Sequence, residues 1–283
     1  MKFTRGPVLA ATLLASVALT GCAGTGTDTE TKPPADPKSA VTASTGELKK
    51  GNYAFDAKTP DGASKGAIHL PSKSMTMAMD TKSEDGDGTI ELRLLEPDRW
   101  MKITMDMGDL GGDLEDIDTS DPQMAKLAEQ LKQMTEMFSG KYWMHVDMTK
   151  LKGDSAKQLG ISSEVTDIIG VSALLDNVVT AEGDAKKITG TLDATKVTES
   201  SGLVEPSEIK SMGAGAAALP YTATLDDQGR LTTLELDVPK AGETPAGKWT
   251  INITGYGEQQ AQEKPAGAVR EMPESAYQML NKS

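Results

Sequence analysis

Between Tyr53 and Met105, apolar side chains recur at every second position, and that restricts this stretch to the strands of a sheet with one greasy face and one wet face. Tyr53 and Phe55 alternate with polar neighbours, and Ile68 and Leu70 follow a turn near Asp61-Gly62. Met75, Met77 and Met79 alternate with Thr76, Ala78 and Asp80. Ile90, Leu92 and Leu94 alternate with Glu91 and Arg93, and Met101, Ile103 and Met105 with Lys102 and Thr104. Pro71-Ser72, Asp85-Gly86-Asp87-Gly88 and Pro97-Asp98 separate these runs, as the turns of an antiparallel meander would.

The period then changes. Asp121 followed by Pro122 is an N-cap and first helical residue. Met124, Leu127, Leu131, Met134 and Phe138 fall on one helical face, and Gly140 ends it. Tyr142, Met144, Val146 and Met148 read as another strand. Helical spacing returns over Ser163 to Val179, divided at Gly170, and Pro206 to Met212 reads as a short helix. Ile188 to Val197 reads as a strand, and Tyr221 to Leu225 with Leu231 to Val238 as a hairpin across Asp226-Asp227-Gln228-Gly229. Trp249, Ile251 and Ile253 mark a final long strand. Helices inserted between groups of strands give an α+β class: one antiparallel sheet of about nine to eleven strands with three or four helices on one side.

The N-terminus carries a different signal. Lys2 and Arg5 precede an apolar run from Val8 to Leu19, and Leu19-Thr20-Gly21-Cys22 follows, with the chain's single cysteine last. A basic start, an apolar segment and small residues before a cleavage point form an export signal. The four residues resemble the lipobox of bacterial lipoproteins, which implies lipidation of the Cys22 thiol and removal of residues 1–21. The plainer alternative is a secreted protein with a leftover thiol. Lipidation with two or more acyl chains anchors a protein stably. The expected place is the outer face of the bacterial cytoplasmic membrane, held by the lipid.

Loss of residues 1–21 removes Lys2 and Arg5 and no acid, so the formal charge falls from −13 to −15. Such a body suits neither nucleic acid nor an anionic headgroup surface. Residues 23–46 hold almost nothing large and apolar, and residues 22–46 read as a lipidated cysteine and flexible tether. It would reach ~80 Å fully extended and ~27 Å as a coil. Residues 47–283 read as one domain, which no disulfide can staple because no second cysteine exists.

Fifteen methionines against three phenylalanines invite three readings. Methionine is flexible and polarisable, so it fills an irregular core or moulds to a variable occupant such as an acyl chain. Alternate thioethers at Met75, Met77 and Met79 also have the spacing of Cu(I) ligands, with His69 and His145 as the available imidazoles. The acidic loop from Asp109 to Asp121 lacks calcium-loop spacing. Gly213 to Ala218 lacks the lysine and hydroxyl of a phosphate loop. No nucleophile-and-base constellation is legible, and neither catalysis nor a cofactor is expected.

Leu219-Pro220-Tyr221-Thr222-Ala223-Thr224-Leu225-Asp226-Asp227-Gln228-Gly229-Arg230-Leu231 is similar to the closing hairpin of actinobacterial lipoproteins of the LppX/LprG type. Those share the fold of the LolA lipoprotein carrier. Trp249 to Glu258 resembles their closing strand and Tyr-Gly turn, and Val269 to Pro273 their tail. The resemblance implies a deeply curved half-barrel whose helices close a hydrophobic cavity, with an acylated lipid or lipoglycan as ligand. Combined with the alternation above, the expected lining is Met75, Met77, Met79, Ile90, Leu92, Leu94, Met101, Ile103, Met105, Tyr142, Met144 and Val146. The expected protein is a monomer that binds and transfers acyl lipid. The alternatives are an anchored interaction module with no transported lipid, and a copper-binding lipoprotein.

Overall fold

A computed structural model describes residues 36–60, 62–83, 86–106, 120–153, 167–197, 206–240 and 245–281. Cys22, the expected signal segment and residues 109–119 of the acidic loop lie outside these residues. Twelve strands among the described residues form a single sheet. They are β1 (Asn52–Thr59), β2 (Gly62–His69), β3 (Ser74–Ser83), β4 (Gly86–Leu95), β5 (Asp98–Met105) and β6 (Trp143–His145). Then come β7 (Val178–Gly183), β8 (Lys187–Leu192), β9 (Leu219–Leu225), β10 (Leu231–Val238), β11 (Gly247–Thr254) and β12 (Val269–Glu271). Their order is β12-β6-β5-β4-β3-β2-β1-β11-β10-β9-β8-β7. Every neighbouring pair is antiparallel except β12 with β6. The order ends at β12 and β7, so the sheet is open rather than closed into a barrel. The class is α+β, with twelve strands where nine to eleven are expected from the sequence.

The added strands have clear reasons. β7 begins inside the stretch that reads as helical up to Val179, because Val178 pairs with Leu192 and is buried there. Three-residue β12 has no period to read; it exists only through its parallel register with β6. The strand expected over Ile188 to Val197 ends at Leu192 and gives way to a turn at Ala194–Lys196, where Asp193 accepts from the Thr195 N–H. The strand expected from Tyr142 to Met148 shortens to β6 for a similar reason: Asp147 caps a tight turn over Met148–Lys150.

Five α-helices occur among the described residues: α1 (Pro37–Ala43), α2 (Pro122–Met137), α3 (Val171–Leu175), α4 (Pro206–Ser211) and α5 (Glu274–Leu280). α1 corrects the expectation of a tether up to residue 46. Asp36 accepts from the Ser39 N–H as its N-cap, Pro37 opens it, and Val41 is completely buried. One apolar residue in a polar segment suffices because α1 packs against β7 and α3, and Val41 enters the large apolar cluster there. The folded body thus includes residues 36–46. Asp121 caps α2 by accepting from the Gln123 N–H, as its sequence predicts. Gly170 sits at φ 73°, in the left-handed region, and separates α3 from what precedes it. The Asp167 carboxylate accepts from Gly170 N–H at 3.0 Å and Ser172 N–H at 2.5 Å and thereby starts α3. Burial pushes its carboxyl upward against those bonds.

The residues that resemble the lipoprotein hairpin meet in space. Gly229, at φ 76°, makes the turn between β9 and β10. Arg230 pairs with Asp226 at 2.7 Å and stacks 5.0 Å from the Tyr256 ring. The Tyr256 hydroxyl donates to the Leu231 carbonyl at 2.6 Å. Their work is structural: they fasten the hairpin to the turn after β11.

Candidate functional site

Cross-strand register sorts the sheet into two faces. One row runs Ile253, Phe55, Gly66, Met77, Leu92, Met101 and Met144 across seven strands. Residues two positions along each strand lie on the same face. Ten of the twelve residues expected to line a cavity therefore share this apolar face, namely Met75, Met77, Met79, Ile90, Leu92, Leu94, Met101, Ile103, Met105 and Met144, and Tyr142 and Val146, just beyond the ends of β6, pack with Met101 and Met144.

Their burial is uneven. One apolar cluster gathers Val41 of α1, Val171, Leu174 and Leu175 of α3 and Ile209 of α4 on β7–β11, and extends to Phe55, Ile68, Met75 and Leu94. A second gathers Met101, Met137, Met144, Val146, Leu151, Met272, Ala276 and Tyr277 around β5, β6 and α5. Met77, Met79, Ile90, Leu92 and Ile103 lie between them and remain half-buried, and Met105 is 40% exposed. The large buried clusters thus leave an incompletely covered apolar strip over β3, β4 and β5.

α2 borders this strip. Its C-terminal end is tied to β5: Met105 N–H donates to the Phe138 carbonyl, and Gly140 N–H to the Ile103 carbonyl, each at 2.9 Å. Met137 is buried, and Phe138 packs with the second cluster. The N-terminal half differs from its sequence expectation. Met124 is 39% and Leu127 43% exposed, so that half of the apolar face is uncovered. A hollow of about 20 Å³ lies among Met75, Leu92, Leu94, Trp100 and Val146. That is roughly room for one water.

The opposite face holds groups that the strand pattern does not single out. Trp143 lies between two cations, with Arg93 5.4 Å and the Lys102 ammonium 5.0 Å from its ring. Lys102 pairs with Glu91 across β4 and β5 at 2.5 Å. After β11 the chain crosses this face as a strap. Gln259 N–H donates to Asn52 Oδ1 and Gln262 N–H to Ser74 Oγ, each at 2.9 Å. Arg93 Nη1 donates to the Glu263 carbonyl at 3.1 Å, and Trp143 N–H to the Ala268 carbonyl at 2.9 Å. This long crossover is what lets β12 lie parallel to β6. A hollow of about 450 Å³ opens beside it, bordered by Asp56, Lys65, Thr76, Glu91, Arg93 and Trp143, and also by Phe55, Gly66, Met77 and Leu92 of the methionine row. In sequence the first six look like ordinary solvent-side positions; only the assembly of β1 to β6 side by side in one sheet brings them together.

His145 latches the edge. Its Nε2 lies 3.1 Å from Asp98 on β5, and its Nδ1 3.1 Å from Glu271 on β12. Partial burial works against charge on the ring, but the bonds to Glu271 and Asp98 outweigh it and raise the pKa above the usual 6.5. A raised folded-state value means that this stabilisation is complete below the unfolded value and is lost as pH rises through the folded one. Hydrogen-exchange protection of the Met272 N–H, which donates to the His145 carbonyl, should therefore fall as the pH rises above the ordinary imidazole value. His145→Gln should flatten that dependence; a wild-type protection factor independent of pH would show that the latch is inert.

Both histidines lie on this second face, His69 opposite Ser74 and Asn52, and His145 opposite Trp100. Neither imidazole reaches the methionine row, so Met75, Met77 and Met79 have no histidine to complete a copper site. Among the described residues, no group of three or more His, Cys, Asp or Glu is placed to hold a metal ion, and no helix is long and apolar enough to cross a membrane. No protein-family model matches the chain, and no curated protein does.

Proposed function

We propose that this chain is a lipid-anchored envelope lipoprotein of the LppX/LprG type, which holds an acyl chain of a lipid or lipoglycan against its methionine face and passes it on. The sheet in this reading is a half-barrel, with the methionine face turned inward. The observation that carries the proposal is the half-covered strip of Met77, Met79, Ile90, Leu92, Ile103 and Met105 beside a helix whose Met124 and Leu127 are exposed. Soluble proteins seldom leave a contiguous apolar surface uncovered without a use for it. Thioether side chains adapt to an occupant of irregular shape.

Magnitude supports a carrier with no covalent chemistry. Exposing a sixteen-carbon chain to water costs on the order of 12 kcal/mol, at ~0.8 kcal/mol per methylene. A strip that buries the chain as well as the bilayer does removes most of that cost, and transfer becomes nearly balanced. Cys22 would hold the protein beside its lipid store, and the segment between Cys22 and Asp36 would set its reach.

The test is native mass spectrometry of residues 23–283, purified without the anchor from a lipoprotein-exporting bacterium. The expected result is a species heavier by one acyl lipid, and a delipidated form that takes up a fluorescent fatty-acyl probe with one-to-one stoichiometry. Protein free of lipid that also ignores the probe would overturn the proposal and favour an anchored interaction module.

A further inference from the structure

The hollow on the face opposite the methionines has an unbalanced set of charges. Its two carboxylates already have lysine partners: Glu91 pairs with Lys102 at 2.5 Å, and Asp56 lies 3.8 Å from Lys58. Among the described residues its two cations have no ion-pair partner, although Lys65 stands across from Asp56 in register. Arg93 donates from Nη1 only to the neutral carbonyls of Glu263 and Lys264, and its buried Nε has no acceptor. Lys65, exposed on β2, makes no ion pair among the described residues. The charges left over at this one place are thus positive, on a chain whose formal charge is −13.

The geometry around Arg93 is that of a held group rather than a loose surface cation. The strap carbonyls and the Trp143 ring, 5.4 Å away, restrict the guanidinium. Thr76 is its cross-strand partner and brings a hydroxyl to the same wall. A guanidinium kept in place loses little freedom when it binds an oxyanion, and a charge-assisted bond to one is about twice as strong as a neutral bond. Trp143 offers an apolar wall to whatever carries the oxyanion.

We infer that this hollow binds a small organic anion, a phosphate ester or carboxylate, on Arg93, Lys65 and Thr76 beside Trp143. A soluble metabolite and the headgroup of a phospholipid share this chemistry. Lys65, Thr76 and Arg93 lie on the face opposite the acyl-chain strip, while Met77 and Leu92 of the strip also border the hollow, so the two sites adjoin through the sheet and are told apart by their separate readouts.

Phenyl phosphate is the probe, titrated at constant ionic strength into protein lacking the anchor while the Trp143 indole and Arg93 Nε–H signals are followed by NMR. A second arm uses phosphatidylglycerol vesicles against phosphatidylcholine vesicles. The expected result is a saturable shift of both signals in at least one arm, weakened about tenfold or more by Arg93→Gln and by Lys65→Gln, and unchanged by Lys187→Gln. A response to phenyl phosphate alone identifies a soluble anion; a response to phosphatidylglycerol alone identifies a headgroup. Arg93→Gln also removes a strap contact, whereas Lys65 has none, so Lys65→Gln reads the site alone. No saturable shift in either arm, or shifts that both variants leave intact, would overturn the inference. Neither outcome alters the acyl-lipid result above.

Discussion

Leu234→Ala is expected to cost about 2–5 kcal/mol of folding stability, a large part of the roughly 5–15 kcal/mol that a domain possesses. Leu234 is completely buried at the middle of β10. It lies between Ile251 on β11 and Ala223 on β9. Neither neighbour can fill the space it would leave: Ala223 has no side chain to extend, and Ile251 is branched at Cβ and stiff. The cavity should therefore persist, and the cost should fall toward the upper part of the range. Urea unfolding would read this as a lower midpoint at unchanged slope. Lys187→Ala, at an exposed position on β8, should leave the midpoint where it is. A loss of less than about 1 kcal/mol for Leu234→Ala would mean that the sheet collapses onto the void, against the packing described here.

The second large effect concerns the methionine strip. Leu92→Glu should weaken acyl-probe binding on the order of a hundredfold while leaving the protein folded. Leu92 lies between Met77 and Met101 in register and is only half-buried. In the free protein a carboxylate there can still reach water, so the fold tolerates it. With an acyl chain laid over the strip, that carboxylate must shed its water or exclude the chain, and either costs several kcal/mol. Displacement of a fluorescent fatty-acyl probe measures the loss, and circular dichroism checks the fold. Lys187→Glu also places a carboxylate on the sheet, on the other face and with a larger change of charge, and should bind as wild type does. Full affinity in Leu92→Glu would move the acyl chain away from β4 and remove the support that the half-covered strip lends to the carrier reading.

Much of the sheet was legible because its evidence is local. Alternation from Met75 to Met105 identifies which side chains share a face, and register confirms the sharing strand by strand. Asp121 and Pro122 announce the start of α2, and Gly229 the turn of the β9–β10 hairpin. α1 was not legible, because a single valine in a polar segment carries no period; Val41 is buried only because the distant β7 and α3 bring apolar partners to it. β12 and the strap were missed for a related reason. Their bonds go to Asn52, Ser74, Arg93 and Trp143, each more than a hundred residues away in the chain.

By itself the sequence determined the alternation, the caps and turns, and hence the membership of each face, since all of these depend on neighbours within a few positions. The tertiary structure alone decided the order of the strands, which part of the apolar face the helices cover, and that Arg93, Lys65 and Trp143 border one hollow. Those outcomes depend on which distant segments bury each other best, and a residue's own neighbours along the chain do not encode that competition.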